Sequence, residues 1–349
     1  MKDKSKIFGL AIFYLLLSYK IIYCFEWSEY KRIYVTSDGR VIDYFQNEIS
    51  HSEGQGYALL LSVVNNDKKY FDRIWRWTKN NLQLRDGDNL FCWSWGKRPN
   101  GQWKVIDYNN ASDGDILIAL ALHLAYKKWR NLSYKDEAQK IVKSIRQHLI
   151  FDISNKKVLL PGYYGFFKDT EIILNPSYLI LPAFLEFAKL DNDQYWHEVY
   201  ESQKEILQQC KFGLWKLPAD WVSLDRTNKT IKISSKGAAF SFDAYRIFLY
   251  TSWIEEPLLQ DSFDSLASFF IKNGFLPERI NLKKSCLSLK DSSAGMYAVM
   301  GSYAYKFGDF SLANKFFKIA DKKISFEQKD YYSATLYLLG KGNLGAYLN

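Results

Sequence analysis

Three acidic residues each stand in the first turn of a predicted helix that is apolar on nearly every face. They are Glu53, Asp113 and Asp243, and the apolar segments that follow them end near residues 64, 124 and 249. A helix that is apolar on all sides must be enclosed by other elements, so its start lies where the core meets water. The sequence therefore predicts three carboxylates at the boundary of one large core.

Segments that are apolar on all sides alternate along the chain with segments that are apolar on one face only. The first kind covers residues 57–64, 116–124, 178–187, 238–253, 294–305 and 331–348, and the second covers residues 27–34, 71–82, 138–149, 196–207, 263–271 and 313–320. A one-faced helix packs on the core and meets water on its other side. Six inner and six outer helices in alternation predict an all-α (α/α)6 double barrel. A stacked array of helical repeats would give a similar pattern.

Two long interruptions break this alternation, at residues 85–110 and 152–175. The first contains the turn pair Asn100-Gly101 between two apolar stretches, which predicts a small β-hairpin in a rim loop. Both interruptions leave from the rim that carries the acids. Long ordered loops in a compact domain are more often functional than not, so we expect them to shape a site.

The amino end has the layout of an export signal. Residues 2–6 are cationic, residues 7–17 are apolar, and a mixed exit follows to Phe25. This pattern predicts a signal peptide over residues 1–25. The apolar run is short for a bilayer span, so an uncleaved membrane anchor is the second interpretation. We expect an exported protein, periplasmic or secreted, with one folded domain over residues 26–349.

Charge and cysteine usage limit the class of partner and cofactor. The formal charge is +9, but its lysines and arginines are scattered without a basic run, which predicts no nucleic-acid partner. Apart from Cys24 in the predicted leader, the cysteines are Cys92, Cys210 and Cys286, which are odd in number and widely spaced and so argue against a disulfide framework. The four histidines show no paired spacing. We therefore expect neither a metal nor another cofactor.

Convergent carboxylates beside aromatic rings suit the hydrolysis of glycosidic bonds. This reaction needs a protonated acid for the leaving oxygen, an ionised base for water, and flat surfaces for sugar rings. A single acid at a helix start is usually only a helix cap, but three equivalent acids at one barrel mouth are harder to explain that way. Because the helix dipole lowers the pKa of an acid, Glu53 needs burial or a nearby like charge such as Asp113 to offset it.

The segments around the acids resemble the signature segments of glycoside hydrolase family 8, and most closely those of members associated with bacterial cellulose synthesis. They read SEGQGY (52–57), ASDGD (111–115) and SFDAYR (241–246), within a resemblance that runs from about residue 34 to residue 246. It implies an (α/α)6 barrel and inverting hydrolysis of a β-1,4-glucan. The resemblance also implies that Glu53 is the general acid, that Asp243 is the general base and that Asp113 binds the sugar at the cleavage subsite.

Four further residues fall in segments that line the cleft of that family, so the resemblance makes them candidates for substrate contact. They are Trp95, Tyr178, Trp221 and Arg246. Gly56 stands where the family often has serine, and the last third of the chain aligns poorly. All three acids are retained, so we expect an active enzyme.

Several alternatives remain open at this stage. The substrate could be xylan or chitosan, although the positive charge disfavours polycationic chitosan. The chain could guide nascent glucan without cutting it, or act as a lyase on an acidic polysaccharide with a Tyr or His base. His51 is interpreted as a helix cap or a surface residue. As partners we expect a β-1,4-linked polysaccharide and a functional link to a cellulose synthase complex. We also expect a monomer that contacts the membrane only through an uncleaved leader.

Overall fold

The computed structural model describes residues 25–327, 329–342 and 344–348. The predicted leader therefore lies outside the described residues, apart from Phe25. In the described part of the chain, no helix is long and apolar enough to cross a membrane.

Six helices form an inner ring whose members are buried on most faces. They are α2 (Ser52–Val64), α4 (Ser112–Trp129), α6 (Leu181–Ala188), α8 (Phe242–Thr251), α10 (Ala294–Lys306) and α12 (Tyr331–Lys341). Each packs on the next, and α12 packs back on α2, so the ring is closed. The predicted (α/α)6 barrel is confirmed. Closure excludes the open repeat array, which would leave its end helices apart.

The outer wall is made of helices that bury one face only. They are α1 (Trp27–Tyr34), α3 (Lys68–Leu82), α5 (Leu132–His148), α7 (Asp193–Gln209), α9 (Gln260–Asn273) and α11 (Phe310–Ile324). Helix α1 packs against the last inner helix, α12. Asp or Asn side chains cap the first turn of α3, α5, α7 and α11, which follow short turns.

Side chains fill the interior of the ring. Tyr57 of α2 and Tyr250 of α8, which stand on opposite sides of the ring, join their hydroxyls by a hydrogen bond. Gly56 permits the close approach of α2 to α4, because a Cβ at this position would lie 2.7 Å from the Cβ of Leu117. The departure from serine at residue 56 therefore has a packing reason in this chain.

The two ends of the barrel differ in the length of their connections. Inner helices lead to outer ones through short turns such as 65–67, 130–131 and 307–309, whereas outer helices return through the long segments 83–111, 149–180, 210–241 and 274–293. These long segments and residues 35–51 form what we call the acid rim. Since the inner helices start at this end of the barrel, the first turns of all of them lie at the same end.

Short strands organise the acid rim, and there are more of them than the sequence predicted. The expected hairpin pairs β2 (Cys92–Lys97) with β3 (Trp103–Asn110), and β1 (Ser50–His51) extends it. Further strands are β4 (Ile150–Ile153), β5 (Lys156–Leu159), β6 (Glu171–Leu174), β7 (Val222–Asp225), β8 (Ile231–Ile233), β9 (Ala239–Phe240), β10 (Ile280–Asn281) and β11 (Cys286–Leu287). The pairing of β6 with β7 joins rim segments about fifty residues apart, which local patterns do not reveal.

Three inner helices are shorter than the apolar segments that predicted them. Residues 176–178 form a 3-10 turn and α6 begins at Leu181, because Pro182 favours the first turn of a helix. Helix α8 begins at Phe242, after β9 has used residues 239–240 for sheet pairing. Helix α12 ends at Lys341, and a separate 3-10 turn covers Leu344–Tyr347.

Candidate active site

The three acids converge at the acid rim. Glu53, Asp113 and Asp243 each occupy the second position of their helices, α2, α4 and α8. Gly114 brings the starts of α2 and α4 together, because a Cβ at residue 114 would lie 2.8 Å from the backbone nitrogen of Glu53. The first two acids are therefore side by side, and α8 supplies the third.

The guanidinium of Arg246 joins all three carboxylates. Arg246 follows Asp243 by one turn of α8, and only 2% of its side chain is exposed. Nη1 donates to Oε1 of Glu53, while Nη2 lies 3.2 Å from Oδ2 of Asp113 and 3.3 Å from Oδ1 of Asp243. We call these four residues the carboxylate–arginine cluster. One cation thus contacts three acids. Its two terminal nitrogens bridge the carboxylates of Glu53 and Asp243.

Residues of the 3-10 turn after β6 hold the cluster from the other side. Nε of Arg246 donates to Oγ of Ser177 over 3.0 Å, and Nη1 lies 3.4 Å from the hydroxyl of Tyr57. The amide Nδ2 of Asn175 donates to Oδ2 of Asp243 over 3.0 Å. Both carboxylate oxygens of Asp243 therefore have a partner, which fixes the direction in which this acid points.

Exposure divides the acids into two kinds. The side chains of Glu53 and Asp243 are 19% and 33% exposed, whereas that of Asp113 is 2% exposed. A substrate or a water molecule can therefore reach Glu53 and Asp243 from the opening. Asp113 lies beneath them, and its Oδ1 accepts the backbone N–H of Gly114 over 2.8 Å.

Burial and like charge shift the proton affinities in the cluster. Burial, followed by the charge of Glu53, raises the pKa of Asp113 to about 7, although Arg246 opposes this rise. Burial also raises the pKa of Asp243, while Arg246 and the hydrogen bond from Asn175 oppose it. The charge of Glu53 therefore contributes to the raised pKa of its neighbour Asp113.

Asp220, to which the sequence assigned no role, fixes the start of α8. Its Oδ1 accepts the backbone N–H groups of Ser241 over 2.9 Å and Ala244 over 3.0 Å, and its Oδ2 accepts the hydroxyl of Ser241. Burial and then the charge of Asp243 raise the pKa of Asp220 to about 6. No local signal could reveal this cap, because donor and acceptor are more than twenty residues apart.

His51 caps the helix that carries Glu53. Its Nδ1 accepts the backbone N–H of Gly54 over 3.1 Å, and its Nε2 lies 3.3 Å from Oδ2 of Asp43. The interpretation of His51 as a structural cap is confirmed. The capping positions of α2, α4 and α8 are held by His51, Ala111 and Ser241. None of the three acids therefore stands at a capping position. Helix capping therefore does not explain why the acids are present.

Two of the predicted contact residues lie next to the cluster. The ring of Tyr178 lies 5.4 Å from the guanidinium carbon of Arg246 and 6.2 Å from the ring of Trp221. Trp221 in turn stacks on Phe166, with ring centroids 6.0 Å apart and planes inclined by 4°. Arg246 itself is buried under the acids, which suits a residue that holds them in place. Its contact with substrate stays a prediction.

Trp95 occupies a different place from Tyr178 and Trp221. It stacks on Trp103 at 5.5 Å and packs edge-on against Trp77 of α3 at 5.3 Å. Its strand, β2, pairs Trp95 with Ser50, just before the helix of Glu53. The ring contacts that the structure describes for Trp95 are with other tryptophans and Arg40, and none is with the cluster. Its role in binding stays a prediction.

A cavity of about 370 Å³ opens beside the cluster, within the size range of ligand sites. Glu53 and Asp243 line it together with His51 and the aromatic pair Tyr331 and Tyr332. Within residues 25–327, 329–342 and 344–348, no three His, Cys, Asp or Glu side chains are grouped as metal ligands would be. The cation at the centre of the acids is Arg246.

Comparison with known proteins places this barrel in a family. Residues 3–345 match the profile of the family described as Glycosyl hydrolases family 8. An endoglucanase of Cellulomonas uda is 38% identical over 66% of this chain and 63% of its own length, so the alignment spans less than two thirds of that relative. An endoglucanase of Escherichia coli K12 is 29% identical over 90% of this chain and 86% of its own length.

Solved structures agree over nearly the whole barrel. The family 8 endoglucanase Cel10 of Klebsiella pneumoniae has a TM-score of 0.78 and 31% identity, covering 90% of this chain and 96% of that one. The endo-β-1,4-glucanase CMCax of Acetobacter xylinum has the same TM-score and identity, covering 92% and 96%. The match of fold and of the family profile over almost the whole sequence shows that this chain belongs to glycosyl hydrolase family 8.

Proposed function

We propose that this protein is an inverting endo-β-1,4-glucanase that hydrolyses cellulose or a related β-glucan. The observation that carries the proposal is the pair of partly exposed carboxylates, Glu53 and Asp243, held on the buried guanidinium of Arg246. An acid and a base set on either side of one glycosidic bond are what single-displacement hydrolysis requires. The endoglucanases to which the chain is similar support a β-1,4-glucan as substrate.

In the proposed reaction, the carboxyl proton of Glu53 passes to the glycosidic oxygen as the bond from that oxygen to the anomeric carbon breaks. Asp243 takes a proton from a water molecule, whose oxygen forms the new bond to the anomeric carbon from the opposite face. The reaction leaves Glu53 ionised and Asp243 protonated, and exchange with solvent restores both. In this proposal, the hydrogen bond from Asn175 keeps the carboxylate of Asp243 in the orientation that faces the attacking water.

Asp113 has a different proposed role, which is to bind a hydroxyl of the sugar at the cleavage subsite. Its carboxyl is buried behind Glu53 and is held by Arg246 and by the backbone of Gly114. A hydrogen bond to the sugar that strengthens as positive charge develops on the ring would lower the barrier. Tyr178 and Trp221 offer the flat faces on which neighbouring sugar rings stack.

The proposed setting of the enzyme follows from the same relatives and from the predicted leader. We propose an exported, periplasmic or secreted monomer with a signal peptide or anchor at residues 1–25 and a single catalytic domain at residues 26–349. A functional link to a cellulose synthase complex is part of this proposal. Neither a cofactor nor a metal has a step in the reaction.

Substitution Asp243→Asn tests the assignment of the base. The amide keeps the volume and one acceptor, but it cannot take a proton from water. We expect hydrolysis of cello-oligosaccharides to fall at least 10²-fold while their binding, measured by calorimetry, is retained. The matched control is Asp225→Asn, at a carboxylate of β7 that contacts Lys232 instead of the cluster. Unchanged hydrolysis in Asp243→Asn would refute this role.

The stereochemistry of the first product tests the mechanism independently. Single displacement at a β-linked sugar gives an α-configured reducing end, which NMR detects before mutarotation sets in. A β-configured first product would exclude the proposed displacement, even in an active enzyme. Products with ultraviolet absorbance from a new double bond would indicate a lyase.

A further inference from the structure

The stacked rings of Phe166 and Trp221 carry a lysine on their surface. Lys236, between β8 and β9, places its Nζ 4.7 Å from the ring of Phe166 and 4.8 Å from the ring of Trp221. Trp221 leads through Tyr178 to Arg246 of the carboxylate–arginine cluster. A cation therefore lies over Trp221, one of the two rings proposed to stack with sugar, and over Phe166, which extends that aromatic surface.

The charged neighbour of Lys236 is a cation that itself has an acid partner, since Nζ of Lys168 lies 3.5 Å from Oε1 of Glu171. No acidic side chain of the described residues lies within ion-pair distance of Nζ of Lys236, and the charged group that acts on it is Lys168. Burial and then the charge of Lys168 lower the pKa of Lys236. By contrast, Lys232 on the same rim segment lies 3.4 Å from Oδ2 of Asp225. Lys236 thus has ring faces, and no acid, as its partners.

A cation also lies over a stacked aromatic pair near the start of the Glu53 helix, although there the acids Glu48 and Asp38 act on the cation. The guanidinium of Arg40 lies 4.7 Å from the ring of Trp95 and 4.6 Å from that of Trp103, which are themselves stacked. Nε of Arg40 donates to Oγ of Ser50 in β1, three residues before Glu53. Stacked aromatic pairs with a cation over both rings therefore stand on both sides of the acids along the rim.

We infer that the glycan bound over Phe166 and Trp221 carries anionic substituents, such as carboxylate or phosphate groups, and that Lys236 is a specificity-determining residue for them. The inference rests on the proposed β-1,4-glucanase function. A neutral sugar can stack on the faces of Trp221 and Tyr178 without a cation beside them. An ammonium group that stacked rings hold in place, beside a like charge and without an acid, attracts an anion on the ligand.

Two soluble β-1,4-glucans of opposite character test this inference. Carboxymethyl cellulose is anionic and hydroxyethyl cellulose is neutral, so the ratio of kcat/KM on the first to kcat/KM on the second measures the preference for anionic substituents. We expect Lys236→Ala to lower this ratio about threefold at low salt, the size of one exposed ion pair. In about 0.5 M NaCl the difference between variant and wild type should disappear, because salt screens exposed charges.

Lys232→Ala is the matched control, since it removes a lysine of the same rim segment that already has an acid partner, and Lys236→Arg should keep the ratio. An unchanged ratio in Lys236→Ala would overturn the inference. So would an equal loss on both polymers, which would make Lys236 a partner of sugar hydroxyls. If the wild-type enzyme cleaves neutral cello-oligosaccharides and Lys236→Ala leaves the ratio unchanged, the inference is refuted and the proposed function stands. Wild-type enzyme that cleaves no substrate would refute the proposed function and the inference with it.

Discussion

Replacing Arg246 by Met should cost stability in a way that depends on pH. The guanidinium is buried and contacts Glu53, Asp113 and Asp243, whereas Met fills a similar volume without charge. Removing one partner of a buried ion pair costs about 3–5 kcal/mol, because the other charge is left without compensation. Here three carboxylates lose their cation, so we expect a loss of unfolding free energy in this range at pH 7.5.

At low pH the same substitution should cost less. The pKa of Asp113 is about 7 even with Arg246 present, so this carboxyl is protonated at pH 4.5 in both proteins. Loss of the cation, which opposes the rise at Asp113 and Asp243, should raise the pKa of these two acids further. An acid whose pKa is higher in the folded protein stabilises below the pKa of the unfolded chain, and this stability is lost as pH rises through the folded pKa. At pH 4.5 we expect a smaller cost of about 1–2 kcal/mol, because protonated Asp113 no longer needs a compensating charge and lost hydrogen bonds remain.

Urea unfolding of wild type and Arg246→Met at pH 4.5 and pH 7.5 measures both costs. Arg226→Met is the control, because its guanidinium donates to the backbone oxygens of Lys168 and Asp169. Its cost should be small and the same at both values of pH. A cost in Arg246→Met that is equal at the two values, or larger at pH 4.5, would refute the view that this arginine compensates the charge of the acids.

Two further substitutions test buried groups near the acids. The pKa of Asp115 is raised by burial to about 7 from an ordinary 3.8, so its stabilising contribution is lost as pH rises from about 4 through 7. The difference in unfolding free energy between wild type and Asp115→Asn should therefore shift by about 4 kcal/mol between pH 4 and pH 8, and a constant difference would contradict this pKa. His51→Ala should cost about 1 kcal/mol at pH 8 by removing the cap of α2, while His51→Asn restores most of it in thermal unfolding because Asn is a good cap. Equal losses in both His51 variants would refute capping as the role of this side chain.

The periodicity of apolar residues predicted inner and outer helices, and the closure of the ring in the structure distinguished the barrel from an open repeat array. Because a helix without a polar face must be enclosed, the alternation of all-round and one-faced segments required two walls, and the closed ring of α2 to α12 agrees. The same periodicity misplaced the starts of α6 and α8. Residues 179–180 and 239–240 are apolar because the rim buries them, and burial by strands and turns cannot be told from burial by helices in an apolar run.

The acids could be predicted from the sequence because each stands at a fixed place in a local pattern. The groups that control them could not. Asp220 caps α8 from another rim segment, Asn175 orients Asp243 from a turn 68 residues away, and Arg246 turns inward instead of toward the cleft. These contacts join residues that are distant along the chain, so nothing in their own neighbourhoods marks them.

The sequence by itself determined the kind of fold and the rim at which the acids stand, since both follow from which faces of each helix are apolar and where each helix starts. Only the tertiary structure decided that Gly114 lets α2 and α4 meet and that one buried cation serves three carboxylates. The tertiary structure also decided the pKa of Asp113. Burial and the distances to Glu53 and Arg246 set this pKa, and both exist only once the ring of helices has closed.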